Sequence, residues 1–168
     1  MNPSKTAIGA WHGRFLLALA AAAFFFGPLL VGRVAENARI GLWVDRGFGP
    51  EEPRQWWSHD ISSRSEALTW RANGFAPERA GAWRRMGFIA VEAKEWKEAG
   101  FDVQTAAEWR REAFAPTVAA EWKNGGFSIG EAVAWRKRAF APAEAATWRQ
   151  AGRSPLDAAE QRAAGATR

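Results

Sequence analysis

The fold of this chain is decided by a thirteen-residue unit. It is clearest at residues 96–121, where two consecutive copies read WKEAGFDVQTAAE and WRREAFAPTVAAE. Tryptophans keep this spacing through the C-terminal two thirds of the sequence, at Trp57, Trp70, Trp83, Trp96, Trp109, Trp122, Trp135 and Trp148. The consensus is W-[RK]-x-x-[GA]-F-x-P-x-E-A-x-x, and positions are numbered below from its Trp. Self-similarity at a fixed period predicts an array of identical structural units.

Each unit predicts one short helix followed by one turn. Position 8 is often proline, which suits the first turn of a helix, at Pro77, Pro116, Pro142 and Pro155. Position 5 is mostly glycine, the usual left-handed stop at the end of a helix, and Ala113 and Ala139 should be poorer stops. Capping-box spacing recurs at Ser63–Glu66, Ser128–Glu131 and Ser154–Asp157. We therefore expect a helix of about ten residues from position 8 through the Trp to position 4.

The aromatic residues of the repeat are predicted to be its structural anchors. Positions 8, 11 and 1 are three residues apart and share one helix face, and position 11 is always Ala. A helix this short is stable only when that face is buried. Position 6 adds an aromatic ring between successive helices, at Phe75, Phe88, Phe101, Phe114, Phe127 and Phe140. The predicted fold is all-α, with one N-terminal transmembrane helix followed by a solenoid-like array of helix-turn repeats.

The repeat decays at both ends. Residues 43–50 match its first eight positions, and Trp56 follows Trp43 by thirteen residues. We interpret the Trp56–Trp57 pair as one extra residue that resets the register, and the unit that starts at Trp57 keeps Ala67 but lacks Gly and Phe. Gln161 replaces the next Trp. The array is therefore assigned to residues 57–160, with a truncated repeat and flexible tail at 161–168.

The N-terminal region contains a stretch typical of a membrane anchor. Residues 15–32 read FLLALAAAAFFFGPLLVG, and a helix of these 18 uncharged residues would span roughly 27 Å, close to the hydrocarbon thickness of a bilayer. We predict a short basic tail at 1–14, a transmembrane anchor at 15–35 and a juxtamembrane segment at 36–56. A cleaved signal peptide is the alternative, although Arg33 and Glu36 place charges at position −3 of the candidate cleavage sites.

The sequence predicts no enzymatic chemistry. Cysteine is absent, and neither His12 nor His59 has the spaced partners of a metal-ligand motif. Ser58, Ser62 and Ser63 flank His59-Asp60, but sequence adjacency does not make a catalytic triad, and we interpret this cluster as a capped turn. We therefore expect no catalytic, cofactor-binding or metal site and no cofactor.

A basic residue follows the Trp in all seven units from Trp70 and forms a candidate partner-binding row, namely Arg71, Arg84, Lys97, Arg110, Lys123, Arg136 and Arg149. If the Trp rings were exposed, this row would resemble the stacking platforms of single-strand nucleic-acid binders. We favour a buried Trp with a solvated cation beside it, paired with acids such as Glu95, Glu108 and Glu121. Residues 51–168 hold 18 Lys/Arg against 16 Asp/Glu, and this balance argues against nucleic acid as a partner.

These features favour a non-enzymatic function. We expect a membrane-anchored structural or protein-interaction subunit, a scaffold in a bacterial membrane assembly, whose partners are other proteins or further copies of itself. The Ala-, Arg- and Gly-rich composition is typical of GC-rich bacteria, and the basic N-terminus favours an inner-membrane protein with an extracytoplasmic C-terminal domain. The alternative is a module that binds nucleic acid, an anionic polymer or cell-wall glycan through the Trp-Arg/Lys row.

Overall fold

A computed structural model describes residues 31–166, and within that range the chain has ten helices and no strand. The predicted all-α class is therefore confirmed. Residues 31–44 form the described part of α1. The following helices are α2 (Glu52–Ser58), α3 (Arg64–Ala72), α4 (Pro77–Arg85), α5 (Ala90–Glu98), α6 (Val103–Arg111), α7 (Pro116–Asn124), α8 (Ile129–Arg136), α9 (Pro142–Gln150) and α10 (Pro155–Ala166). The described residues divide into two compact units at the boundary between Trp57 and Ser58.

Each repeat helix ends in the same left-handed turn. Helices α3 to α7 and α9 run from position 8 to position 3, one residue shorter than predicted, and α8 ends at position 2. Position 5 has a positive φ in all seven units from Trp70, including the non-glycine residues Ala113 (φ 55°) and Ala139 (φ 59°). The position 6 amide donates to the Trp carbonyl five residues earlier, as from Phe114 to Trp109 (3.2 Å). The position 5 amide donates to the position 2 carbonyl, as from Ala113 to Arg110 (2.9 Å). These paired bonds define a Schellman motif, whose apolar contact is here the Phe ring on the Trp ring.

The helix starts are capped by several different residues. The predicted capping boxes at Ser128–Glu131 and Ser154–Asp157 are confirmed, with bonds in both directions. At α3 the Ser63 hydroxyl accepts from the Glu66 amide (3.4 Å). Asp102 is a further cap, whose carboxylate accepts from the amides of Gln104 and Thr105.

The core combines small alanines with a ladder of aromatic rings. The Ala at position 11 has no exposed surface in any unit, from Ala67 to Ala158. Phe rings lie edge-on between successive Trp rings, with centroids 4.9–6.5 Å apart, in one run from Trp70 to Phe114 and another from Trp122 to Trp148. Edge-to-face pairs add roughly 0.5–1.5 kcal/mol each beyond the area they bury. The alanines let neighbouring helices approach, and the rings fill the space between them.

The structure places the register change in a different position from the one we inferred. Trp56 is buried (1% exposed), whereas Trp57 is only half-buried and has the Arg39 guanidinium 4.2 Å from its ring centroid. Four residues after Trp56, Asp60 adopts the left-handed conformation (φ 67°), and Ile61 follows it fully buried. Asp60 and Ile61 therefore take the places of Gly and Phe in a unit anchored by Trp56. The extra residue lies in the connector before Ser63, because burial rather than spacing identifies the anchor.

The two ends of the array also differ from the repeat. Trp43 and Phe48 are buried, and their ring centroids lie 4.9 Å apart, so the degenerate unit at 43–50 has the repeat conformation. At the C-terminal end, α10 continues past Gln161 to Ala166. None of the helices within residues 31–166 is long and apolar enough to span a membrane. The predicted anchor at 15–35 lies outside the described residues, except for 31–35, which are helical.

Candidate functional site

Most of the aromatic anchors predicted from the sequence lie in the core. Six of the eight repeat tryptophans are at most 5% exposed, namely Trp70, Trp83, Trp96, Trp109, Trp122 and Trp135, and Trp57 and Trp148 are half-buried. All six predicted Phe anchors are at most 4% exposed. Rings buried in this way do not offer a free face on which a base or a sugar could stack.

The cations at position 2 reach back to the end of the helix two places earlier. The Arg110 guanidinium donates to the carbonyls of Met86 (2.7 Å) and Gly87 (3.0 Å) and lies 3.7 Å from the centroid of the Phe88 ring. Arg136 makes the same bonds to Glu112 (2.6 Å) and Ala113 (3.1 Å). Arg149 and Arg162 repeat this geometry one and two helices further along. We call each of these contacts a cation clamp.

A clamp satisfies groups that the helix end leaves open. The last carbonyls of a helix have no partner within the helix, and a cation there also interacts favourably with the helix dipole. Arginine binds two carbonyls at once through its planar fork, whereas lysine binds as a point charge. Accordingly, Lys123 makes one bond, to the Gly100 carbonyl (3.0 Å), and Lys97 lies 5.2 Å from the Phe75 ring centroid. The cation and the carbonyls that it binds are 23–24 residues apart, and this constant spacing is the sequence signal for the contact.

The acids that pair with the position 2 row are not the ones we expected. Arg84, Arg110 and Arg162 form ion pairs with a glutamate 18 residues earlier, at position 10 of another unit. The glutamates preceding the Trp residues, Glu95, Glu108 and Glu121, are exposed and have no ion pair within residues 31–166. At Arg110 and Arg162 the cause is the clamp, because the clamped cation lies at the start of the following helix, which holds the position 10 glutamate.

The clamps divide the array into two edges. They join the C-terminal ends of α4, α6, α8 and α10 in series, through Arg110, Arg136 and Arg162. This first edge also holds the N-terminal turns of α5, α7 and α9, which follow α4, α6 and α8 directly in the chain. The C-terminal ends of α5, α7 and α9 are joined through Lys123 and Arg149 and form the second edge. An open hollow of about 580 Å³ lies on the first edge and is lined in part by Glu66, Arg84 and Ile89.

Three carboxylates at helix starts have lowered pKa values. A hydrogen bond from the Thr105 hydroxyl is the main cause at Asp102, and backbone bonds add to it. The Ser128 amide and hydroxyl lower the pKa of Glu131, and the Ser154 hydroxyl and amide lower that of Asp157. Each shift reflects capping, because the bonds stabilise the ionised form. These groups stabilise helices, and none of them faces another titratable group in the manner of an acid–base pair.

The described part of the chain holds no cluster of side chains suited to a metal ion. His59, the histidine of the Ser-His-Asp cluster, is half-buried in the turn before α3 and packs against Gly81, where an added Cβ would lie 2.8 Å from the His59 Cβ. His12 lies outside the described residues.

Compared with protein-family models, curated proteins and solved structures, the chain matches none of them.

Proposed function

We propose that the chain is a membrane-anchored helical-repeat scaffold whose array docks other proteins or further copies of itself in a bacterial membrane assembly. The supporting observation is the contrast between two positions of the repeat. Position 11 is Ala and fully buried in every unit. Position 9 is exposed in every unit and differs each time, as Ser65, Glu78, Val91, Gln104, Thr117, Gly130, Ala143 and Leu156.

This contrast separates the structural role of the repeat from its surface. The Trp, Phe and Ala that recur along the array form its core, and the recurring arginines Arg110, Arg136 and Arg149 form cation clamps. The residues that vary are presented to solvent at regular intervals along the array. Repeat proteins use such surfaces as extended docking faces. An enzyme needs a few unusual side chains in one place, and the repeat instead distributes the same side chains along its length.

Site-specific photo-crosslinking in membranes tests this proposal. A photoreactive amino acid at Gln104 or Thr117, both at position 9, should give discrete adducts of higher mass in intact membranes. The matched control carries a photoreactive phenylalanine analogue in place of Phe101, whose ring is buried, and should give none. Size-exclusion chromatography with light scattering, in mild detergent, distinguishes a self-adduct from a partner. Recovery of only the monomer from both exposed sites would reject the scaffold.

The anchor at 15–35 needs a separate test. Extraction with alkaline carbonate releases peripheral proteins and leaves spanning proteins in the membrane. We expect the full chain to stay in the membrane fraction and a variant with charges introduced at Leu17 and Leu29 to be released. Release of the wild-type chain, or an N-terminus starting after residue 32, would contradict an uncleaved anchor.

The alternative, a nucleic-acid or glycan binder that uses the Trp-Arg/Lys row, predicts a different optical signal. Buried indoles emit at shorter wavelength and resist aqueous quenchers, whereas exposed stacking platforms are quenched readily. Burial of six repeat tryptophans and the clamping of four arginines support the first outcome. Red-shifted, quenchable emission that a single-stranded oligonucleotide protects would favour the alternative.

A further inference from the structure

The first edge of the array carries cations that form neither a cation clamp nor an ion pair among the described residues. At position 3, the residue after the position 2 cation, α4, α6 and α8 have Arg85, Arg111 and Lys137. All three are exposed, and none of their side chains forms an ion pair within residues 31–166. The corresponding residues on the second edge carry no positive charge: Ala72, Glu98, Asn124 and Gln150. The alternation has a period of two units, so the thirteen-residue repeat does not account for it.

The same edge also exposes large apolar side chains. Ile89, in the connector after α4, is 63% exposed, and Val91 in the first turn of α5 is 50% exposed. Val118, in the first turn of α7, is 38% exposed. On the second edge the equivalent connectors carry the polar caps Asp102, Ser128 and Ser154, and Leu156 is the one large apolar residue exposed there among those described. Unpaired cations and apolar side chains thus share the first edge, which we call the basic edge.

We propose that the basic edge binds the surface of a bilayer that contains anionic lipids. Arg85, Arg111 and Lys137 would contact lipid phosphates while Ile89, Val91 and Val118 enter the boundary between headgroups and acyl chains. Interfacial protein segments combine these two side-chain types because charge attraction and apolar burial both favour adsorption. Packed helices lie roughly 8–10 Å apart, so three cations on successive helices of one edge span about 20 Å, the scale of several headgroups.

A phosphate surface made of lipid fits this edge better than one made of nucleic acid. Single-strand binders interleave cations with aromatic stacking platforms. Here the Trp and Phe rings are buried, and the large apolar side chains exposed on the basic edge are Ile and Val. The exposed Glu112, the C-cap of α6, is an acidic residue on the same edge. Contact between aliphatic side chains and a hydrated sugar-phosphate backbone contributes little to binding. Burial of the same side chains in a bilayer interface is favourable. Binding through the basic edge is independent of the proposed anchor, because the residues that form this edge lie between 85 and 137.

The first experiment compares two charge-matched variants of the full chain in vesicle flotation. R85Q/R111Q removes two cations from the basic edge, and R79Q/R153Q removes two exposed arginines from the second edge. With vesicles in which a third of the lipid is anionic phosphatidylglycerol, R85Q/R111Q should bind about 30-fold more weakly than R79Q/R153Q, at about 1 kcal/mol per cation. Both variants should retain the circular dichroism and melting of the wild type, because neither cation pair is clamped. Equal affinities of the two variants would overturn the proposal.

A site-specific probe separates edge binding from insertion through residues 15–35. The chain contains no cysteine, so Ile89→Cys and Leu156→Cys each accept one environment-sensitive fluorophore. Anionic vesicles should shift the emission of the probe at position 89 to the blue and leave position 156 unchanged. Insertion through the anchor alone would attach the chain to neutral vesicles as well, without moving either probe. If anionic vesicles leave the emission wavelength of the probe at position 89 unchanged, edge binding is refuted. A probe at position 89 whose emission shifts with duplex or single-stranded DNA but not with vesicles refutes it as well.

Discussion

Ala113 and Ala139 occupy the left-handed stop that glycine fills in the other five units from Trp70. An L-residue in this conformation costs roughly 1–2 kcal/mol, because its Cβ crowds the following carbonyl oxygen. Glycine avoids that strain but loses more backbone entropy on folding, about 0.5–1 kcal/mol relative to Ala. The strain that glycine removes exceeds the entropy cost that it adds by about 1 kcal/mol. Ala113→Gly should therefore stabilise the array by about 1 kcal/mol, and Ala139→Gly by a similar amount.

Two control substitutions isolate the backbone conformation as the cause. Ala99, one residue before a left-handed glycine, has a φ of −73°, so Ala99→Gly relieves no strain and should destabilise by about 0.5–1 kcal/mol. Gly100 has a φ of 83°, and a Cβ built there meets no atom within 4 Å. Gly100→Ala therefore introduces backbone strain without a clash, and it should cost about 1 kcal/mol.

The assay is thermal and urea unfolding followed by circular dichroism at 222 nm and by tryptophan fluorescence, with each variant measured beside the wild type. For an array of this size, 1 kcal/mol corresponds to a Tm change of about 3–6 °C. Ala113→Gly should raise Tm, and both controls should lower it. If Ala113→Gly lowered Tm while Gly100→Ala also did, the left-handed strain assigned to the alanine stops would be refuted.

Three further predictions concern the core, the clamps and the caps. Trp109→Ala removes a ring that is 3% exposed and should cost about 3–5 kcal/mol in urea unfolding; an unchanged midpoint would show that the ring is not core. Arg136→Lys should lower the free energy of unfolding by about 1 kcal/mol and Arg136→Met by about 2 kcal/mol, because lysine keeps the charge and one hydrogen bond. Equal losses would argue against the two-carbonyl clamp. The lowered pKa values of Asp102 and Glu131 mean that the stability these caps contribute is present above the ordinary values of 3.8 and 4.5 and is lost as the pH falls below them. Melting temperatures measured across that range should fall more steeply for the wild type than for D102A/E131A, and parallel curves would contradict the prediction.

The sequence contained enough information for the local structure of each unit. Proline at position 8, glycine at position 5 and the Ser–Glu spacings act within a few residues, so they predicted the start of each helix from α3 onward, and the ends of α3 to α7 and α9 to within one residue. The expected burial of Trp and Phe was also correct for most units, since a nine-residue helix needs a large apolar side chain to be stable. Asp102 could have been recognised as a cap from its place before α6.

Contacts between units were not predictable in the same way. The basic row looked like a solvated or partner-binding surface, because nothing local shows that Arg110 lies against Met86 and Gly87. The register at the start of the array was misassigned because two adjacent tryptophans are equivalent in the sequence, and burial alone identifies Trp56 as the anchor.

The thirteen-residue period by itself determined that this chain is an array of short helices with aromatic anchors, because helix starts, stops and apolar faces depend on neighbouring residues. The tertiary structure decided which helix ends meet, and therefore which cations are used inside the fold. Clamping joins every second helix, so it divides the array into two edges with different side chains. That division places Arg85, Arg111 and Lys137 on one edge although successive members are 26 residues apart in the sequence.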